Sequence, residues 1–160
     1  MKPLSIQYRM NPAIAAIPNK LFYGDILQSG DNTKTRVLSD QWVQDQPLFL
    51  VDTSEGAPWM NRGPNGQSRC NLYHATLAAA MAQDYLANET QMVKRSGWCR
   101  VPYRSQKDLI NDILDESLGK NSPARKRIEV NTVHSFRVEK RCYHLRFCRE
   151  RRYGCKMVLF

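Results

Sequence analysis

The chain of 160 residues has no apolar run near the roughly 18 to 20 residues that a membrane-spanning helix needs. It also opens without the apolar centre of a secretory leader, because Arg9, Asn11 and Lys20 interrupt that stretch. None of the five cysteines (Cys70, Cys99, Cys142, Cys148 and Cys155) forms a CxxC pair, and the three histidines complete no common zinc pattern. An odd cysteine count without a leader is expected to mean free thiols in a reducing compartment, the cytoplasm, with no metal and no membrane partner. No GxxxxGK[ST] loop is present to cradle a nucleotide's phosphates, no acidic pair is placed to hold magnesium, and no Ser or Cys sits in a nucleophile elbow. His74, His134 and His144 have no evident catalytic partners.

Hydrophobic residues make up 42% and charged residues 24%, which fits an ordinary globular chain of one-domain length. The formal charge of +9 is unevenly placed. Residues 1–90 hold 7 Lys and Arg against 8 Asp and Glu, whereas residues 91–160 hold 17 against 7. Basic clusters raise affinity for phosphate backbones through counterion release. Here that property belongs to the C-terminal part, and 134–160 alone carry 8 against 2.

Hydrophobic spacing and breaker residues predict the elements. Asn11 is a helix cap and Pro12 suits the first helical position, with Ile14, Ile17 and Leu21 following at helical spacing. Pro18 predicts a kink or an early break, and Gly24 with Ser29-Gly30-Asp31-Asn32 predicts a loop. A short strand is expected near residues 36–38, and a buried strand over 47–53. Residues 56–68 are rich in Gly, Pro and Asn and read as an exposed loop. An alanine-rich helix is predicted over 69–88, with Leu72, Ala75, Thr76, Ala79, Ala82 and Leu86 near one face. A strand over 98–101 follows, then a helix over 106–118 carrying Leu109, Ile110, Ile113 and Leu118 on one side and stopped by Gly119 and Pro123. A third strand is expected over 127–133. Strands alternating with helices indicate an α/β fold, a mainly parallel sheet with flanking crossover helices.

Three segments carry a resemblance. QYRMNPAIAAIPNKLFYGDILQSG is similar to the helicase element in which QYRM is followed by a proline and a phenylalanine-tyrosine-glycine turn. PYRSQ, from Pro102 to Gln106, is similar to that family's PYRAQ element, and VNTVHSF, from Val130 to Phe136, to the start of a motif that continues as QGxE. Between about Leu4 and Phe136 the chain resembles the second RecA-like domain of superfamily 1 helicases, in the group that includes the nonsense-mediated-decay and tRNA-splicing helicases.

That resemblance implies ATP and Mg bound between two RecA-like domains, with the QYRM arginine, here Arg9, reaching the phosphates as a catalytic group. Gln7 and Tyr8 would pack near the nucleotide or hold the arginine in place. It also implies a DNA or RNA strand crossing at Pro102, Tyr103, Arg104, Gln106, Thr132 and His134. Tyr103 would stack or pack under the loop and Arg104 would meet phosphate. On the residues alone, Thr132 also reads as a β-branched strand residue, and His134 equally as a capping or loop residue.

The chain departs from the family pattern at both ends. The first RecA-like domain, with its phosphate loop, magnesium aspartate and water-activating glutamate, is expected to be lacking, so the chain binds no nucleotide tightly by itself and hydrolyses none. After Phe136 the Gln-Gly-x-Glu pattern is replaced by Arg137, Val138, Glu139 and Lys140, and residues 141–153 hold five arginines and two cysteines where an apolar strand is expected. A central strand does not bury that many charges without partners. Arg100, in the strand before PYRSQ, is a milder departure. Codons for 137–148 can be chosen so that two inserted nucleotides restore QGREKDVIIYDFV. The expected division is therefore a partial, incomplete RecA-like domain over 1–136 and a frameshifted basic tail over 137–160. Two other readings stand beside a helicase fragment: a nucleic-acid-binding module, and a subunit that completes a separately encoded first RecA-like domain.

Overall fold

In the computed structural model, which describes residues 5–35, 47–56, 59–64, 66–87, 97–135, 143–147 and 156–159, the first helix starts as its sequence implies. Helix α1 (Pro12–Phe22) is capped by Asn11, whose side chain accepts from the Ala13 N–H at 3.0 Å. Pro18 lies inside α1 and neither breaks nor ends it, contrary to expectation. The compensation comes from Asn19. Its carbonyl takes the N–H groups of Tyr23 and Asp25, and its amide pairs with both backbone groups of Leu27. The turn beyond the helix is thereby closed by side-chain bonds that do not need the donor missing at Pro18. Gly24 adopts φ +57 in that turn, a left-handed conformation that glycine accepts without penalty. Strand β1 (Ile6–Gln7) pairs in parallel with β2 (Gln28–Ser29), and a short 3-10 turn follows at Asp31–Thr33. The strand expected near residues 36–38 lies outside the described residues.

The chain divides into two units, one reaching to Phe49 and the other running from Leu50 to Leu159. The second unit contains β3 (Phe49–Asp52, whose first residue precedes the division), β4 (Asn61–Arg62), β5 (Arg69–Cys70), α2 (Leu72–Ala87), β6 (Gly97–Val101), α3 (Arg104–Leu118), β7 (Ile128–Thr132), β8 (Tyr143–Phe147) and β9 (Lys156–Leu159). The main sheet has the order β3-β9-β8-β6-β7. β6 pairs in parallel with both β7 and β8, and β8 pairs antiparallel with β9.

The path β6–α3–β7 is a parallel crossover unit, as the alternation of elements predicts. The core lies between this sheet and helices α2 and α3. It is built from Ala75, Ala78, Ala79 and Ala82 of α2, Ile110 and Leu114 of α3, Cys99 and Val101 of β6, and Ile128 and Val130 of β7. The run of small side chains lets α2 approach its neighbours closely. Leu72 and Thr76, expected on the buried face, are exposed, and His74 and Ala78 take their place. Burial drives the Cys99 thiol well above its usual range, so it is a packing residue and no nucleophile.

Three further expectations are corrected. The segment over 47–53 is not a fully buried strand. β3 occupies one edge of the sheet, and Leu50 is exposed. The segment over 56–68 is not wholly loop, because β4 forms an antiparallel hairpin with β5. The arginine-rich tail does supply strands, with β8 lying between β6 and β9. Its sequence, Tyr-His-Leu-Arg-Phe, alternates apolar and polar residues with the period of a strand, which the charge count alone conceals. Arg100 is buried within β6.

Helix α3 is fastened to the start of β7 by one side chain. Arg125 bonds to Asp115, to Asn111 Oδ1 at 2.7 Å and to the Ile128 carbonyl at 2.8 Å. Arg125→Ala leaves all three acceptors short of a charged donor. It is expected to lower unfolding stability by about 1.5–3 kcal/mol, measured by urea titration, whereas loss of an ordinary exposed arginine would change it by less than about 0.5 kcal/mol.

Candidate functional site

In the first unit, the QYRM segment is held by its glutamine. Gln7 Oε1 accepts from the backbone N–H groups of Arg9 (2.9 Å) and Met10 (2.7 Å), and Gln7 Nε2 donates to the Met10 carbonyl and to Ser29 Oγ, both at 2.7 Å. Four bonds from one amide fix the backbone on both sides of Arg9 and leave the Arg9 side chain exposed. Tyr8 is exposed too, and its ring lies across Gly30, where an added Cβ would collide with the ring carbons. Of the three residues assigned to the nucleotide, Gln7 thus acts on the loop, while Tyr8 and Arg9 present side chains to solvent.

In the second unit, PYRSQ follows β6, and Thr132 and His134 follow β7. These strands are parallel neighbours, so both segments leave the sheet at the same, carboxyl, end. The Val133 N–H donates to the Val101 carbonyl at 3.1 Å and ties the two exits together. Open α/β sheets take ligands in the crevice at this end. Pro102 and Tyr103 are half-buried, Arg104 and His134 are exposed, and Thr132 pairs its hydroxyl with that of Ser135 in a tight turn. Five of the six residues assigned to the strand therefore lie on two connected loops.

Gln106 is the exception. It is 5% exposed, and its amide is spent on Asn71, accepting from the Asn71 N–H at 2.6 Å and donating to the Asn71 carbonyl at 3.2 Å. A direct contact from Gln106 to a nucleic acid is excluded by that burial. Its part is to position the loop.

The helix starts explain the arrangement. Asn71 caps α2, its Oδ1 accepting from the His74 N–H at 2.9 Å and its carbonyl taking the Ala75 N–H. In an ordinary capping box the third residue of the helix would return a side chain to the cap's own N–H. Here Gln106, from the first turn of α3, fills that role. His74 is thereby released to pair with Thr53 Oγ1 at 2.9 Å, just past β3. α3 in turn has no side-chain cap from Tyr103, and Ser68 Oγ accepts its Ser105 N–H at 3.0 Å. Each helix is capped by the segment that leads into the other.

Reading the residues alone missed Ser68 and Asn71. A signal was available, since an Asn directly before the alanine-rich run is a helix-start signature. Among the described residues no group of His, Cys, Asp or Glu is arranged to hold a metal ion. No helix among them is long and apolar enough to cross a membrane.

A family model described as an AAA domain matches residues 1–149. The chain belongs to that family. It is a helicase-type domain of superfamily 1, with an incomplete α/β RecA-like fold, and the group that includes the nonsense-mediated-decay and tRNA-splicing helicases fits it. It is similar to "Helicase sen1" of Schizosaccharomyces pombe, 31% identical over 140 residues that cover 86% of the chain and 8% of that protein. It is also similar to "ATP-dependent helicase upf1" of the same yeast, at 24% over 156 residues covering 91% and 16%. A third relative is "Probable helicase MAGATAMA 3" of Arabidopsis thaliana, at 28% over 140 residues covering 85% and 17%. The chain thus spans less than a fifth of the length of these relatives.

The cross-capping has a measurable consequence. Gln106→Ala strands the buried N–H of Asn71 and is expected to cost about 1–3 kcal/mol. Ser68→Ala should cost about 1 kcal/mol, as for loss of a helix cap. Chemical denaturation of each variant measures both, and a Gln106→Ala chain as stable as the parent would remove the cross-cap from the account.

Proposed function

We propose that this domain is the second half of an ATP-dependent helicase acting on DNA or RNA. In this reading Arg9 meets a nucleotide held by a first RecA-like lobe, and the PYRS loop and the Thr132–His134 turn meet the strand. The observation that carries it is the bracing of the QYRM loop by Gln7, with four hydrogen bonds around an exposed arginine. An arginine fixed before the nucleotide arrives can stabilise charge on the transferred phosphoryl oxygens without a further ordering cost. ATP and its Mg would be held chiefly by the other lobe, since the sequence has no GxxxxGK[ST] loop. The chain alone is then inactive toward ATP, and the first lobe is its partner, separately encoded or not. The cytoplasm suits a domain whose described cysteines, Cys70 and Cys99, are free thiols.

The test is ATP turnover by a purified first RecA-like lobe with and without this chain. The chain is expected to stimulate turnover, and Arg9→Ala to reduce the stimulated rate by about 10³-fold or more, the range of an arginine finger. Equal stimulation by Arg9→Ala would overturn the assignment.

A narrower reading, a nucleic-acid-binding module without a motor role, draws on the juxtaposed loops after β6 and β7. It expects oligonucleotide binding weakened by Arg104→Gln and no effect of the chain on any ATPase. For residues 137–160 we also propose a shifted reading frame. Its support is that β8 falls where the restored motif places its apolar strand. The coding DNA over 137–148 tests it, and codons incompatible with the two insertions would overturn it.

A further inference from the structure

We propose that the β4–β5 hairpin is a second contact for single-stranded nucleic acid, its paired arginines Arg62 and Arg69 taking the phosphates next to those at the PYRS loop. The proposal rests on the reading of that loop as a strand site. Arg62 and Arg69 stand directly opposite each other in a two-residue antiparallel ladder. Cross-strand partners share a face, and like charges in that position destabilise a hairpin. Both side chains are exposed, and no carboxylate among the described residues forms an ion pair with either.

The hairpin also sits against the PYRS loop. Ser68, the neighbour of Arg69, accepts the backbone N–H of Ser105, the neighbour of Arg104. At the hairpin tip a Cβ on Gly63 would run into the Ser105 side chain, so glycine is what lets the tip lie there. Arg62, Arg69 and Arg104 are thus brought to one end of the second unit, on segments locked together by a hydrogen bond. Three residues before Arg62, Trp59 is 82% exposed. Guanidinium groups without carboxylate partners recognise phosphate oxygens in pairs, and an exposed indole offers a stacking face for a base. Neither feature shows in the composition, because residues 1–90 carry no net positive charge.

The experiment uses the full 160-residue chain with fluorescent oligonucleotides of single-stranded DNA and, separately, RNA, titrated by anisotropy across salt concentrations. The double variant Arg62→Gln/Arg69→Gln is expected to weaken binding and to lower the slope of log affinity against log salt by about 1.4, two phosphates at about 0.7 each. Its unfolding midpoint should equal or exceed that of the parent, since a repulsion is removed; a merely structural role predicts the reverse. Base stacking on Trp59 predicts fluorescence quenching by the oligonucleotide that is reduced in Trp59→Phe. If Arg104→Gln weakens binding while the double variant leaves affinity and slope unchanged, the hairpin proposal is overturned and the loop reading stands. If the double variant weakens binding and Arg104→Gln does not, the hairpin stands and the loop reading falls. A parent chain that binds neither oligonucleotide removes both. Polyglutamate that displaces the oligonucleotide as well as unlabelled competitor of equal length would identify an acidic protein segment as the partner and overturn the proposal.

Discussion

One amide, that of Gln106, takes both backbone groups of Asn71, and the geometry of the second unit's loop end depends on that pair. A helix start leaves several N–H groups without intrahelical partners, and burying them uncompensated is costly. α2 and α3 meet the requirement by exchange. Gln106 serves the cap of α2, and Ser68, ahead of α2, serves the start of α3. His74 is then left to fasten the end of β3 through Thr53. The exits of β3 and β6 and the starts of both helices are thus held in one network, and the Val133–Val101 bond adds the exit of β7. Loops held at so many points can present Tyr103, Arg104 and His134 in a fixed arrangement.

The same device appears in the first unit on a smaller scale. Gln7 does for the QYRM turn what Gln106 does for the helix starts: an uncharged side chain with both a donor and an acceptor closes a backbone segment on itself. Neither glutamine is suited to touching a ligand, because each has spent its amide within the protein. The arginines beside them, Arg9 and Arg104, carry the charge and stay exposed. A motif that reads as a string of candidate contacts therefore separates into residues that hold and residues that reach.

Much of this was legible in the sequence, and what was not has physical reasons. Helix α1 began where Asn11 and Pro12 said it would, since a cap and a first-turn proline act locally. The parallel order of β6 and β7 followed from strand and helix alternation. Pro18 misled because its cost was offset by Asn19 bonds reaching to Leu27, which no local rule anticipates. The buried face of α2 was misjudged at Leu72 and Thr76, because alanine, the residue that packs there, carries little hydrophobic contrast. Gln106 was read as a ligand contact because its partner, Asn71, lies 35 residues away. The tail was judged by its arginine count, and the alternation within residues 143–147 proved the better guide to a strand.

The hairpin shows the limit of charge arithmetic most clearly. Two arginines placed opposite each other oppose their own ladder by about 0.2–1 kcal/mol, and two paired residues per strand supply little against it. What holds the ladder lies outside it: the Gly63 N–H bonded to the Ser68 carbonyl at 2.7 Å, the Ser68–Ser105 bond, and the Asn71 cap that follows β5 directly. Neighbouring structure thus forces two like charges together in a place where isolated strands would separate them. A fold that maintains such a repulsion at its surface has a standing attraction for an anion, and that attraction comes from placement, in a half of the chain whose total charge is close to zero.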